Sequence, residues 1–223
     1  MKIPRDGFDL IAVGGGIAGA SLAQCVAEAG ARVLILEAAE QFTDRVRGEC
    51  LMPWGLTEAH ALGLTGVLAE ANVIRWANSY LGPFQTERRD LPATTAGKNP
   101  IVSFYHPQMQ TRLLQAAEAA GTHVQRGMRV VSATGGHPVR VLCESGGTHH
   151  EVRGRLAAIA TGRTSGLARA LGFEVSRDNH NLCIAGVLLE GLHIPDDTLH
   201  WFLNPDAGEI AGWVPEGNAW VRT

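Results

Sequence analysis

Residues 8–37, FDLIAVGGGIAGASLAQCVAEAGARVLILE, constrain the fold more than any other stretch. An apolar run over 10–13 enters three consecutive glycines, Gly14, Gly15 and Gly16. Residues 17–29 hold no proline and are rich in Ala, Leu and Val, as a packed helix would be. Gly30 ends that helix, and residues 32–36 form a second apolar strand that stops at Glu37. Strand, glycine turn, helix and strand in this order make a βαβ unit, which commits the chain to an α/β fold with parallel strands.

Gly14, Gly16 and Gly19 fit the pattern G-x-G-x-x-G, and Glu37 follows Gly14 by 23 residues. The first glycine allows a tight turn. The second lets the backbone approach a pyrophosphate, and the third lets the helix lie close to the strand. The helix N-terminus, where Ala18 lies, offers unpaired N–H groups and a positive dipole end to phosphates. A carboxylate at the end of the second strand accepts hydrogen bonds from an adenosine ribose, and Ala38 follows it directly. That carboxylate repels a 2′-phosphate, so FAD or NAD is expected in preference to NADP. A glycine-rich turn without a ligand is the plainer alternative. The preceding strand, the helix, the second strand and the terminal acid together weigh against it.

The chain has 223 residues, 45% hydrophobic and 18% charged, enough for one large domain or two small ones. A net charge of −3 and the lack of a long basic run give no reason to expect a nucleic-acid partner. No stretch reaches the ~18 apolar residues of a membrane span. The N-terminus passes almost at once into the first strand. That leaves no room for a signal peptide, so a cytoplasmic location is expected. Cys25, Cys50, Cys143 and Cys183 are scattered, and the histidines form no ligand grouping, so neither a disulfide framework nor a metal site is expected.

Beyond Glu37, helical segments are expected over 56–71, broken near Gly63 and Gly66, then a strand over 72–81 and an irregular stretch over 82–100. A short strand over 101–105 precedes a clear helix over 107–120. Strands are expected at 129–133, 139–144 and 156–160, with His149 and His150 in a hairpin tip. The remainder alternates short apolar runs with turns, with strands over 182–189, 199–203, 209–214 and 220–222. The economical reading is a Rossmann-like nucleotide domain from 1–71 and 106–172. A mainly antiparallel β-sheet substrate domain, from 72–105 and 173–223, is inserted in two instalments.

With these residues assembled, the chain resembles the FAD-dependent monooxygenases of the para-hydroxybenzoate hydroxylase fold, a superfamily that includes flavin halogenases and geranylgeranyl reductases. The resemblance covers essentially the whole chain but only the first half, or somewhat more, of a typical member. Gly14, Gly16, Gly19 and Glu37 match its first fingerprint. Arg47-Gly48-Glu49, followed by Leu51, Pro53 and Gly55, resembles the segment that passes beside the flavin. Arg112 matches an arginine near the FAD phosphate and ribityl chain, and Val130 a position whose backbone lies beside the adenine. Residues 160–165, with Gly162, resemble a second turn in which Asp is usual where Thr161 stands. That departure weakens the case for ordinary turnover driven by NADH or NADPH, the possible electron donors. The family's third Gly-Asp motif is not reached by Thr223. The expectations are a fragment of a longer protein, a truncated gene product, or a partner chain that completes the flavin site.

The resemblance implies FAD as cofactor. It also implies a monooxygenase that hydroxylates or epoxidises an apolar or aromatic small molecule through a flavin C4a-hydroperoxide. A flavin-dependent reductase, a halogenase and a non-catalytic FAD-binding fragment are the alternatives. No catalytic residue can be named, and no Ser-His-Asp or Cys-His arrangement is supported by spacing. For Arg47 the alternative to cofactor contact is a solvated loop charge, and for Glu49 it is a cap on the following helix. Trp76, Tyr80, Phe104, Trp201, Phe202 and Trp213 line a substrate pocket or, more simply, fill the sheet core. His106 reads as a loop histidine.

Overall fold

The computed structural model describes residues 7–44, 50–70, 74–82, 87–163, 166–176, 186–189, 197–204, 209–214 and 219–222. In chain order, β1 (Phe8–Val13), α1 (Ile17–Glu28) and β2 (Val33–Leu36) open the fold. Then come β3 (Cys50–Leu51), α2 (Pro53–Ala61), α3 (Thr65–Glu70), β4 (Ile74–Trp76), β5 (Asn78–Gly82), β6 (Arg89–Asp90), α4 (Leu91–Thr94) and β7 (Ile101–Ser103). α5 (His106–Ala119) and β8 (His123–Gln125) restore the α/β alternation. β9 (Arg129–Thr134), β10 (Val139–Ser145) and β11 (Thr148–Ile159) form a meander. α6 (Gly166–Ala170), β12 (Gly186–Leu189), β13 (Thr198–Asn204), β14 (Glu209–Val214) and β15 (Ala219–Arg222) complete it. Contacts divide the chain into two compact units, 1–43 with 107–178 and 44–106 with 179–223.

The first unit is built on a six-stranded sheet in the order β8-β2-β1-β11-β10-β9. β8, β2, β1 and β11 run parallel, whereas β10 and β9 are antiparallel. All of β2 and nearly all of β1 are buried, which explains their unbroken apolar runs. Phe8, Ile11, Val13, Leu34 and Leu36 share one core with Val141, Cys143 and Val152 of the meander. The buried positions of α1 include Gly19, Ala20, Ala23 and Ala27, small residues that bring its backbone close to its neighbours.

β11 is longer than its composition suggests. Residues 148–154 pair with β10 and residues 154–159 with β1, so Gly154 is the pivot between the two partners. A Cβ there would lie 3.1 Å from both the Ile11 side chain and the Phe8 carbonyl oxygen. His149 and His150, expected in a hairpin tip, lie within the strand opposite Glu144 and Cys143. The turn is Gly146-Gly147, with φ of +54° and +75°, the two-residue geometry that needs left-handed backbone twice. The early half of β11 is polar because it is mostly exposed, with only Val152 and Gly154 buried, and this masks its strand pattern.

The second unit holds two sheets. One is β3-β7-β4, antiparallel throughout. The other runs β12-β15-β14-β13-β5-β6 and is antiparallel except for the β13–β5 pair. The single strand expected over 72–81 is two strands in different sheets. The chain bends at Ala77, whose carbonyl oxygen accepts the Leu91 N–H at 2.9 Å. The stretch expected to be irregular contains β6 and α4. Asp90 caps α4 by accepting the Ala93 N–H at 2.8 Å, and a proline lies in its first turn. Residues 44–71 group by contact with this second unit, whereas the sequence pattern joins them to the nucleotide half. The reason is local, since β3 hydrogen-bonds to β7.

Trp76, Leu91, Ile101 and Leu199 form the core of the second unit. Trp76 is fully buried, and its indole N–H donates to the Ser103 hydroxyl at 2.8 Å. Ser103→Ala would strand that donor in an apolar setting. Urea denaturation should show a loss of about 1–3 kcal/mol. A loss within about 0.3 kcal/mol, well below the cost of an orphaned donor, would show that the bond does not stabilise the core.

Candidate nucleotide-binding site

The site is built where β1 and β2 end. At the C-terminal edge of an open parallel sheet, strand ends and helix starts leave a crevice for ligands. Gly14 leaves β1 with φ +104°, and its N–H donates to the Leu36 carbonyl at 2.9 Å. A Cβ on Gly14 would lie 2.5 Å from the carbonyl oxygen of Ala160. A Cβ on Gly19 would lie 1.9 Å from the carbonyl oxygen of Gly14. These two positions admit only glycine, one for the turn and one for helix packing.

Gly16 differs. Its φ of −71° suits any residue, and a Cβ there would find only the Gln110 amide nitrogen, at 3.8 Å. Gly16 is the N-cap of α1 and has no side chain to satisfy the helix, and the first turn carries no acidic residue. Ala18 in that first turn is exposed. Bare backbone, open space and a positive helix end therefore coincide, and this is the cradle a pyrophosphate needs.

Glu37 sits at the tip of β2 and is half-buried. One carboxylate oxygen accepts the Gly15 N–H at 2.6 Å and the other accepts the Ala39 N–H at 2.7 Å. A carboxylate offers about four acceptor positions, so two remain for a ribose. Ala38, between these contacts, is exposed. The backbone of Glu37 is tied on both sides. Its N–H donates to Gln125 at 2.8 Å, and its carbonyl accepts the Met128 N–H at 2.9 Å. The strand bearing Val130 therefore starts beside Glu37. Val130 itself pairs with Cys143 next to a bulge at Leu142/Cys143 and packs on the core.

The turn after β11 closes the far side. The Ala160 N–H donates to the Val13 carbonyl at 2.8 Å, and Ala160 packs on Gly14 and Gly19. Gly162 is exposed, with φ +67° and open space around it. α5 contributes Gln110 beside Gly16, and Leu114, whose Cδ2 would lie 3.0 Å from a Cβ on Gly15. Arg112 is two residues from Gln110, about 200° round the helix. Its guanidinium donates to the Gln115 side-chain carbonyl at 3.3 Å. Arg47 and Glu49 lie outside the described residues. The N-cap of α2 is Met52, with Pro53 in its first turn.

Sequence pattern alone misses Gly15, Gln110 and Leu114 as neighbours of the turn. The run of three glycines was the available signal for Gly15. The others depend on helix placement. Of the aromatic residues, Trp76 and Phe104 are buried, and Trp201 packs against the Trp76 core. The side chains of Tyr80, Phe202 and Trp213 lie outside the description. His106 is not a loop residue. It opens α5, is buried, and stacks on Phe104 with ring centroids 6.4 Å apart. Burial pushes the thiols of Cys50 and Cys143 above their usual range, so neither is an activated nucleophile. Among the described residues, no three His, Cys, Asp or Glu are placed to hold a metal, and no helix is long and apolar enough to cross a membrane.

Comparisons with known proteins bear on the family and the fold. The family described as FAD binding domain matches residues 8–222. A menaquinone reductase from Mycobacterium tuberculosis is 29% identical over 228 residues, covering 97% of this chain and 54% of the relative. The chain thus spans about half the length of the curated relatives it matches. A myxobacterial FAD-dependent chondrochloren halogenase shares the fold with a TM-score of 0.75 at 20% identity, over 99% of this chain and 53% of that one. An aklavinone-11 hydroxylase, solved with FAD and aklavinone, gives a TM-score of 0.75 at 19% identity, over 99% of this chain and 46% of that one.

The three glycines should separate in a stability experiment. Gly14→Ala and Gly19→Ala force a methyl into backbone and should each cost about 1–3 kcal/mol or more. Gly16→Ala has room and should cost no more than about 1 kcal/mol, the loss of a favoured N-cap residue. Equal losses at all three positions would contradict the division of roles.

Proposed function

The chain belongs to the FAD-binding-domain family, and from that premise we propose that it forms the cofactor-holding part of an FAD-dependent oxidoreductase that hydroxylates or epoxidises an apolar or aromatic small molecule. The observation that carries the cofactor assignment is the open cradle at Gly16 beside the Glu37 carboxylate. The N–H groups at the start of α1, near Gly16 and Ala18, receive the pyrophosphate. Glu37 receives the adenosine ribose, and Ala38 and the backbone of Val130 border the adenosine. Arg47, Arg112 and Gly162 remain proposed contacts for the flavin half, which the resemblance supplies.

Bound FAD would supply the redox chemistry. The protein's own residues hold it, orient it and keep water from it. Around the glycine turn they are backbone amides, one carboxylate, the Gln110 amide and apolar side chains such as Leu114, which suits a holding role rather than acid–base catalysis. The oxygenase reading rests on the resemblance of residues 47–55 and 160–165.

A second reading has its own support. The 29% identical relative is a menaquinone reductase, so reduction of an apolar substrate competes with oxygenation. One experiment separates the two. The chain, loaded with FAD and chemically reduced, is offered apolar aromatic compounds and quinones under ¹⁸O₂ and under argon. Product carrying ¹⁸O, absent under argon, is expected for the oxygenase. Product formed equally well under argon would select the reductase. A protein that takes up no FAD would overturn both.

A further inference from the structure

The assigned contacts leave the base end of the cofactor without a side chain. Strand order says where that end lies. β1, β2 and β8 are consecutive neighbours, each about 4.8 Å from the next. With pyrophosphate over the β1–α1 turn and ribose at Glu37 on the tip of β2, the base falls one strand further, at the tip of β8. The residue leaving that tip is Arg126.

Arg126 is held there by two contacts. One guanidinium nitrogen donates to the Glu40 carbonyl at 2.9 Å. The guanidinium carbon lies 4.4 Å from the ring centroid of Phe42. The loop after Glu37 is thereby clasped to the loop after β8. Next to it, Gly127 has φ +67°, and a Cβ there would come within 3.2 Å of the Glu40 side chain. Glycine at 127 lets the two loops close on each other.

We propose that Arg126, backed by Phe42, is the platform on which the adenine of the cofactor stacks. This rests on the FAD reading above. A guanidinium is planar and permanently charged, and it stacks on the faces of bases as well as on aromatic rings. The Arg126 guanidinium carbon lies over the Phe42 ring, and the side of the guanidinium turned away from Phe42 takes the base. The loop bond to Glu40 uses one of its five N–H groups, which fixes the plane without saturating it. Glu37 then reads the ribose and Arg126 the base, from adjacent strand ends.

Calorimetric titrations with ADP and with ribose 5-diphosphate, which lacks the base, test this on the intact chain. Arg126→Lys keeps the charge and loses the plane. Arg126→Lys and Phe42→Leu should each weaken ADP binding about tenfold, the scale of one lost base-stacking contact. Binding of ribose 5-diphosphate should not change, and a melting curve should match that of the parent. Equal weakening toward both ligands would overturn the proposal, since it marks a loop brace with no contact to the base. Unchanged ADP binding in both variants would overturn it as well. A parent chain that binds neither ADP nor FAD would instead defeat the FAD reading beneath it.

Discussion

The Glu37 carboxylate is the interaction on which the site depends. Its two oxygens take N–H groups from Gly15, in the turn after β1, and Ala39, in the loop after β2. Both bonds are short and charge-assisted, the stronger kind. They hold two strand ends and the start of α1 in one arrangement before any ligand arrives. The residue expected to read the ribose therefore also sets the shape of the phosphate turn. Preorganisation of this sort lowers the ordering cost of binding.

The glycines make that arrangement sterically possible. Gly19 lets α1 rest on the Gly14 carbonyl, and Gly14 lets the turn rest on the Ala160 carbonyl. Each carbonyl would meet a Cβ well inside van der Waals contact, so β1, α1 and the turn after β11 interlock through backbone alone. Gly16 is left out of the interlock and keeps open space beside its backbone. The same logic recurs at Gly154, where β11 passes from one partner strand to another.

How far this was legible in the chain depends on the range of the cause. The βαβ unit was legible because its signals are local: spacing of glycines, a proline-free helix, a terminal acid. Ala77 was not, since the change of sheet there depends on a hydrogen bond from Leu91. Gly146-Gly147 was read as a turn, but the polar strand after it hid its period behind exposed residues. Gln110 and Leu114 were not legible as neighbours of the glycine turn, because a helix face is set by packing. The pairing of Arg126 with Phe42 joins loops after different strands, and neither residue carries a local signal. The helix start at His106 was obscured by the adjoining proline, which suits a first helical turn.

Glu37 and the glycine turn are proposed to receive the unphosphorylated adenosine half of FAD. Displacement of bound FAD by ADP, set against displacement by the 2′-phosphorylated form of ADP, tests it most directly. The carboxylate at the tip of β2 predicts that ADP competes while the 2′-phosphate compound is weaker by about tenfold or more, through charge repulsion and the loss of the ribose hydroxyl. Equal competition by the two compounds would contradict it.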